Sequence, residues 1–303
     1  MSKPLISIVT YPRGGPRHWS EGLANALADN YSTQIVADRS GYIRASLSHH
    51  HVLHTNVGLP FSLASRSILT IHGDYRKEKL LGRMVFPLAI RTADAITVPS
   101  DYLKQQLNLT NAIVIPNGIN YPLLGKDHFE LTSGRPTIGT LTNFDFPRKA
   151  DGIIDLARIV KEHLPTSRLL VGGNGIYIKH YQKRVSQIFP NTEFLGYCRK
   201  EDLFSKLDVF AYYSFLDNQP LALLEAMAYG LPTISNNVGA ISEILTNSLS
   251  HNLCDSPHEY GQRLRQLVDS TDARLSSGSR GRLKAKKYSW PRIAHQFIQL
   301  YEA

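Results

Sequence analysis

Two carboxylates stand eight residues apart in the stretch Ser214-Phe-Leu-Asp217-Asn-Gln-Pro220-Leu-Ala-Leu-Leu-Glu225-Ala-Met-Ala-Tyr-Gly230-Leu-Pro232. Asp217 lies in a loop before a helical stretch. Glu225 lies inside it, in the apolar run LALLEAMA. A carboxylate there has to be paired, hydrogen-bonded or exposed, because burying it bare is costly. Two roles fit Glu225: a salt bridge within its own domain, or acceptance of hydrogen bonds from a ligand's hydroxyls. The helix start near Pro220 and Leu221 adds a second feature. Pro220 has no N–H and suits a first-turn position. Free amides and the positive end of the helix dipole converge on the same loop, which makes a ready phosphate site.

These groups need elements to hold them, and the chain supplies two runs of one grammar. In each, an apolar strand enters a Gly-rich turn and then a helix, the βαβ pattern of a parallel sheet. In the first half, Leu5–Thr10 reads as a buried strand, followed by Gly14 and Gly15 and a helical period through Leu23, Ala24 and Leu27. Further strands are expected at 34–37, 52–54, 67–71, 95–98 and 112–115, and Pro116-Asn117-Gly118 turns the chain. Residues 123–136 carry Pro, Gly and charges without a sustained period and read as a linker. The second half restarts at Thr137–Leu141 and continues through a helix at 153–160 and a strand at 168–171 that ends in Gly172-Gly173-Asn174-Gly175. Strands at 193–195, 209–212 and 233–235 follow, with helices at 200–206 and 221–229; Gly230 and Pro232 stop the latter. The predicted fold is α/β, with two Rossmann-like domains at 1–122 and 137–286 facing each other across a cleft. In open parallel sheets, ligands sit at the carboxyl ends of the strands.

Composition narrows the function classes. The chain has 303 residues, 42% hydrophobic and 19% charged, which excludes a disordered chain. Two cysteines, Cys198 and Cys254, cannot build a disulfide framework and lack metal-ligand spacing. A reducing, cytoplasmic setting fits them. The apolar stretch at the N-terminus is short and meets Pro12 and Arg13, so it reads as a strand and not a secretory leader. No apolar run is long enough for a membrane span. The formal charge of +9 favours an anionic partner. No interleaved basic–aromatic platform or helix-turn-helix signature points to nucleic acid.

At this point several segments, in order, resemble one family. The Asp217–Glu225 segment resembles the E-x7-E signature of retaining GT-B glycosyltransferases of family 4, with Asp217 in the first Glu position. Gly14-Gly15 resembles the family's N-terminal glycine loop, and Ile71-His72-Gly73 its strand-end His-Gly. Ala93-Asp94-Ala95, Val98-Pro99-Ser100 and Ile115-Pro116-Asn117-Gly118 resemble the end of its first domain. Pro147-Arg148-Lys149 resembles its phosphate-binding Arg-Lys, and Gly172–Gly175 stands at its Gly-Asp-Gly. Phe194-Leu195-Gly196-Tyr197, Asn237-Val238-Gly239, Glu243 and Tyr288-Ser289-Trp290 complete the series. The joint order is the signal. It is densest over 137–245 and thinnest over the first 90 residues.

The resemblance implies transfer of a hexosyl group from a nucleotide-diphosphate sugar to a hydroxyl acceptor, with retention and without a metal or other cofactor. It implies that Glu225 holds the nucleotide ribose and that Asp217 contacts donor-sugar hydroxyls. It implies that the amides around Leu221 and Ala222, just after Pro220 in the donor site, bind the diphosphate, with Arg148 and Lys149 neutralising it. Gly14, Gly15, Gly173, Tyr197 and Cys198 would complete the donor pocket, the last two partly through backbone. His72, Lys149 and Asp217 would be the catalytic set, and Arg17 and His18 would stand on the acceptor side. The helix over 287–303 would pack back on the first domain. That domain is short for the family, which implies an open acceptor cleft. Asn143 falls where the family usually has a second phosphate-binding Arg. That departure, with Asp217, motivates a second reading: a degenerate member that binds a nucleotide sugar or serves as a partner subunit.

His49, His50, His51 and His54 are not a metal cluster on a regular strand, since alternate side chains oppose. Gly172–Gly175 lacks G-x-G-x-x-G spacing, so NAD binding is not expected. Residues 76–91 mix Arg76, Lys77, Lys79, Arg83 and Arg91 with large apolar side chains. An ordinary surface helix has that composition. So does an interfacial segment that docks peripherally on anionic lipid and meets a lipid-linked acceptor.

Overall fold

A computed structural model describes residues 3–49, 51–77, 80–122, 125, 131 and 134–303, with Arg39 and Leu81 as backbone only. The chain divides into two compact units. One holds Met1–Asn120 and Tyr288–Ala303, the other Tyr121–Lys287. Most of the expected linker over 123–136 lies outside the described residues, as do His50, Glu78 and Lys79.

The first unit carries strands β1 (Leu5–Val9), β2 (Ser32–Val36), β3 (Val52–Thr55), β4 (Arg66–Thr70), β5 (Ala95–Val98) and β6 (Ile113–Val114). Its helices are α1 (Gly15–Leu27), α2 (Arg39–Leu47), α3 (Leu80–Thr92) and α4 (Asp101–Gln106). The sheet order is β2-β1-β3-β4-β5-β6, and every pairing is parallel. Strands this apolar can be buried on both faces, and the helices cover them. Ile6, Ile8, Val52 and Ile68 pack under Trp19, Leu23 and Leu27 of α1. Leu53 and Leu69 point the other way, toward Ala45 of α2 and Phe86 and Ala89 of α3.

The C-terminal helix (Trp290–Glu302) belongs to this unit. Ser289 bridges to Ile119. The Trp290 ring occupies the space beside Gly118, where a Cβ would lie 2.2 Å from it. Inside the unit, His54 meets the Tyr301 hydroxyl at 2.6 Å through Nδ1 and the Thr70 hydroxyl at 2.7 Å through Nε2. His54 is fully buried, and burial holds its imidazole down to about 3. His54 therefore stitches the last helix to the sheet. Among the described residues, no group of three His, Cys, Asp or Glu could hold a metal ion.

The second unit carries β7 (Thr137–Leu141), β8 (Arg168–Gly172), β9 (Thr192–Gly196), β10 (Val209–Tyr212), β11 (Thr233–Asn236) and β12 (Leu253–Cys254). Its helices are α5 (Pro147–Ala150), α6 (Gly152–His163), α7 (Ile178–Ile188), α8 (Lys200–Phe204), α9 (Leu221–Tyr229), α10 (Ile241–Ile244), α11 (Pro257–Asp269) and α12 (Thr271–Ala285). The sheet order is β12-β11-β10-β7-β8-β9, again all parallel. Its core sets Ile138, Val171, Val209 and Ile234 of the strands against Leu156, Tyr260 and Leu264 of α6 and α11. Among the described residues, no helix is long and apolar enough to cross a membrane.

Candidate active site

In the second unit, the candidate residues gather at the carboxyl ends of β7 to β11, where an open parallel sheet exposes its loops. The centre is Asp217, in the loop after β10. Its side chain is 4% exposed and accepts a hydrogen bond from Lys149 Nζ at 2.8 Å through Oδ2. The Tyr212 hydroxyl donates to the same oxygen at 2.5 Å, and the Gln219 amide donates to Oδ1 at 3.1 Å. Burial raises the Tyr212 phenol well above its ordinary value, and the Asp217 charge adds to this, so Tyr212 stays a donor. Lys149 remains about a third exposed. An ammonium has three donors, and one of Lys149's goes to Asp217.

The loop that carries Asp217 is held from several sides. Asn236 of β11 brackets Ser214, accepting from its amide at 3.1 Å and donating to its carbonyl at 2.7 Å. The Phe215 amide donates to the Arg148 carbonyl at 3.1 Å, which ties α5 to the loop. Behind Asp217 sits Gly239, with φ +59 and room for no side chain: a Cβ there would lie 1.6 Å from the Asp217 carbonyl oxygen. Asp217 thus takes hydrogen bonds from Lys149, Tyr212 and the Gln219 amide, all within the second unit. Its oxygens hold Lys149 and the loop.

Helix α9 begins directly after this loop. Pro220 is its N-cap, one place before the first turn expected from the sequence, and no side chain caps the helix. The first amides, at Leu221 and Ala222, therefore receive no cap from the side chain of the N-cap residue. Gly230 closes the helix in the left-handed conformation, with φ 89. Glu225 lies one turn in, with its side chain 17% exposed and ion-paired to Lys200 Nζ at the start of α8. Burial raises the Glu225 carboxyl, and Lys200 pulls it back down. Both signature carboxylates are thus lysine-paired.

Other candidates in this unit surround the pair. Gly173 (φ +123) brings its backbone so close to Thr142 that a Cβ would lie 1.9 Å from the Thr142 carbonyl oxygen. Its amide donates to the Gly196 carbonyl at 2.9 Å. Cys198 lies beside Gly172 and Gly173, its thiol raised chiefly by burial. Tyr197 stands in solvent, so only its backbone can line a pocket here. Arg148 is exposed. Asn143 supplies no cation; its Oδ1 accepts from the Asp145 amide at 2.8 Å and shapes the loop after β7. Lys200, Tyr212, Asn236 and the clamp at Gly239 are contributors the sequence reading did not assign. Only tertiary proximity links them to Asp217 and Glu225.

The first unit holds the remaining candidates. Gly14 has φ +88 and caps α1, and a Cβ at Gly14 or Gly15 would meet nothing within 4 Å. The turn therefore borders open space. Arg17 pairs with Glu21 at 2.7 Å, and exposed His18 reaches the same carboxylate at 3.5 Å. His72 follows β4 and stands edge-on to Trp19, with ring centroids 4.8 Å apart. Burial holds its imidazole down to about 4, against an opposing hydrogen bond that the ring shares with Asn117. It is a neutral ring at neutral pH.

Two parallel sheets wrapped by helices, with a lysine–carboxylate cluster at the strand ends of one of them, define an α/β protein of the GT-B kind. Residues 135–270 match the family described as Glycosyl transferases group 1. That segment is similar to the group 1 glycosyl transferases. An uncharacterized glycosyltransferase of Methanocaldococcus jannaschii is 27% identical over 247 residues, covering 78% of this chain and 68% of that one. A phosphatidyl-myo-inositol mannosyltransferase of Propionibacterium freudenreichii is 27% identical over 236 residues, covering 74% of this chain and 58% of its own. The chain thus spans little more than half of that second relative. Among solved structures, Anabaena HepE in complex with UDP matches with a TM-score of 0.78 at 14% identity, covering 100% of both chains. At that identity the likeness is one of fold.

Proposed function

We propose that this chain transfers a hexosyl group from a nucleoside-diphosphate sugar to a hydroxyl of a glycan, lipid-linked or small-molecule acceptor, with retention and without a metal. The observation that carries this is the Lys149 ammonium, fixed by buried Asp217 in the loop that leads into α9, whose N-cap Pro220 provides no side-chain cap. The diphosphate takes the α9 amides and Lys149, and the ribose takes Glu225. One charge pair at about 4 Å and an effective dielectric near 20 is worth about 4 kcal/mol. The bond from the anomeric carbon to the diphosphate oxygen breaks, and a bond to the acceptor oxygen forms on the same face. The leaving diphosphate takes the acceptor's proton, so no carboxylate acts as nucleophile. Catalysis is then positioning and charge stabilisation. His72, neutral at working pH, hydrogen-bonds a sugar or acceptor hydroxyl, Gly14 and Gly15 leave room beside it, and Arg17 and His18 serve the acceptor. The mannosyltransferase relative and the UDP complex of the same fold support a nucleotide-sugar donor. Free Cys198 and Cys254 suit a reducing, cytoplasmic setting.

A second reading, donor binding without turnover, is favoured by two observations: Asn143 serves its own loop, and the Asp217 oxygens are engaged. Calorimetry against UDP, GDP, ADP, TDP and CDP sugars, paired with a transfer assay, separates the two. A ligand at 100 times its Kd stabilises by about 2.7 kcal/mol, so thermal shift also reports it. Transfer that disappears in a folded Glu225→Ala variant supports the enzyme. Binding without transfer over a broad acceptor panel supports the second reading. Unchanged activity in that variant removes the proposal. Proton NMR of the product's anomeric centre tests retention.

A further inference from the structure

Helix α3 divides sharply between two faces. Phe86 and Ala89 are buried against the sheet. The opposite face presents Leu80, Arg83, Met84, Pro87, Leu88 and Arg91, all exposed, at the spacing of one helical stripe. Leu80, Met84 and Leu88 are between 50% and 69% exposed, an outlay of apolar surface that its own fold does not use.

The surface is wider than this helix. The connecting segment before β4 exposes Phe61 and Leu63, and α2 exposes Ile43 and Leu47. The Leu63 amide donates to the Ser46 carbonyl at 2.9 Å, which fastens this segment to α2. Leu59 and Phe61 line a small cavity with Ala89, Thr92 and Ala93, which places the segment against the end of α3. Helices α2 and α3 both cover the face of the sheet that bears Leu53 and Leu69. The result is one outer layer with apolar side chains in all three of its parts.

The charge on that layer is one-sided. Between Asp38 and Asp74 the sequence has no acidic residue, and α3 has none. Exposed Arg44, Arg83 and Arg91 stand among the apolar side chains. Of the other cations in this stretch, Arg76 and Lys77 pair with Asp74, and Arg66 lies part-buried in β4. A second copy would bring the same positive charge and would be repelled. A layer with cations and apolar side chains interspersed, and no carboxylates among them, fits an anionic lipid surface, where basic side chains meet headgroups and apolar ones enter below.

We propose that the α2–α3 layer of the first unit is a docking surface for anionic phospholipid membranes. It is independent of whether the second unit turns a donor over, so a vesicle assay without donor reads it alone. The full chain is mixed with phosphatidylcholine vesicles, with and without a minority of phosphatidylglycerol, and sedimented. Partition is expected only with the anionic lipid, weakening as salt rises. Reversing two charges (Arg83→Glu with Arg91→Glu) lowers partition roughly tenfold or more. Met84→Asp with Leu88→Asp does the same, while Leu275→Asp, an exposed apolar site in the other unit, does not. Thermal unfolding of each variant confirms that it is folded. Equal partition on neutral vesicles, or patch variants that bind like the parent, overturns the assignment. A dimer in light scattering that the same substitutions dissolve also overturns it, giving the face to a second copy.

Discussion

Lys149 Nζ lies 2.8 Å from Asp217 Oδ2, and the carboxylate it touches is almost wholly buried. The pair is asymmetric. Asp217 has its partners inside the protein, while Lys149 keeps part of its surface and most of its donors. This makes Asp217 the anchor; in the proposed function Lys149 is the group offered to the diphosphate. Lys149→Ala removes that cation and leaves a buried carboxylate with Tyr212 and one amide. Turnover should fall about 10²–10³-fold, and stability by about 1–3 kcal/mol. Steady-state kinetics and urea unfolding of one preparation check both.

Tyr212→Phe separates holding from chemistry. The buried hydroxyl donates to the same Asp217 oxygen as Lys149, and its loss removes one charge-assisted hydrogen bond. Stability should drop by about 1.5–3 kcal/mol, with turnover changed far less than in Lys149→Ala. A kcat loss as large as the lysine variant's would place Tyr212 in the chemistry.

Glu225→Gln tests the ribose contact. Burial raises the Glu225 carboxyl and Lys200 offsets it, so the neutral, isosteric side chain should fold as well as the parent. Donor affinity should weaken at least about tenfold, a loss near 1.4 kcal/mol. Calorimetry with the donor that binds best measures it, and an unchanged Kd would remove Glu225 from the donor site.

Two histidines in the first unit make its stability depend on pH. His54 is held at about 3 and His72 at about 4, both below the 6.5 of a free imidazole. The folded protein therefore resists protonation that the unfolded chain accepts. Their stabilisation is complete above about pH 6.5 and is lost as pH falls through that value toward the folded ones. Each contributes a slope of up to about 1.4 kcal/mol per pH unit. Urea unfolding between about pH 7 and 5, a range in which most carboxylates stay charged, should show it. His54→Gln should make the slope shallower.

Gly239→Ala should move the Asp217 loop, because a Cβ 1.6 Å from the Asp217 carbonyl oxygen cannot be accommodated in place and φ +59 disfavours a side chain. The expected result is a lower midpoint of thermal unfolding and weaker donor binding together, seen by scanning fluorimetry with and without nucleotide sugar.

The sequence by itself determined the βαβ grammar, the helix stop at Gly230, and the carboxylates eight residues apart before and inside α9. Those are local signals: apolar runs, turn residues and fixed spacings act over a few residues. The polar helices α7, α11 and α12 and the short α2 and α4 lacked an apolar run strong enough to announce them. What tertiary structure decided is partnership. Asp217 found Tyr212, Lys149 and the wall at Gly239; Glu225 found Lys200; and Tyr301 crossed the chain to reach His54. A linear pattern shows which residue types are present, but not which buried polar atom meets which. Each such atom has to be satisfied, and only the folded chain brings its partner within reach. The cationic layer followed the same rule. Residues 76–91 showed half of it, and packing α2 and the segment before β4 beside α3 joined the rest.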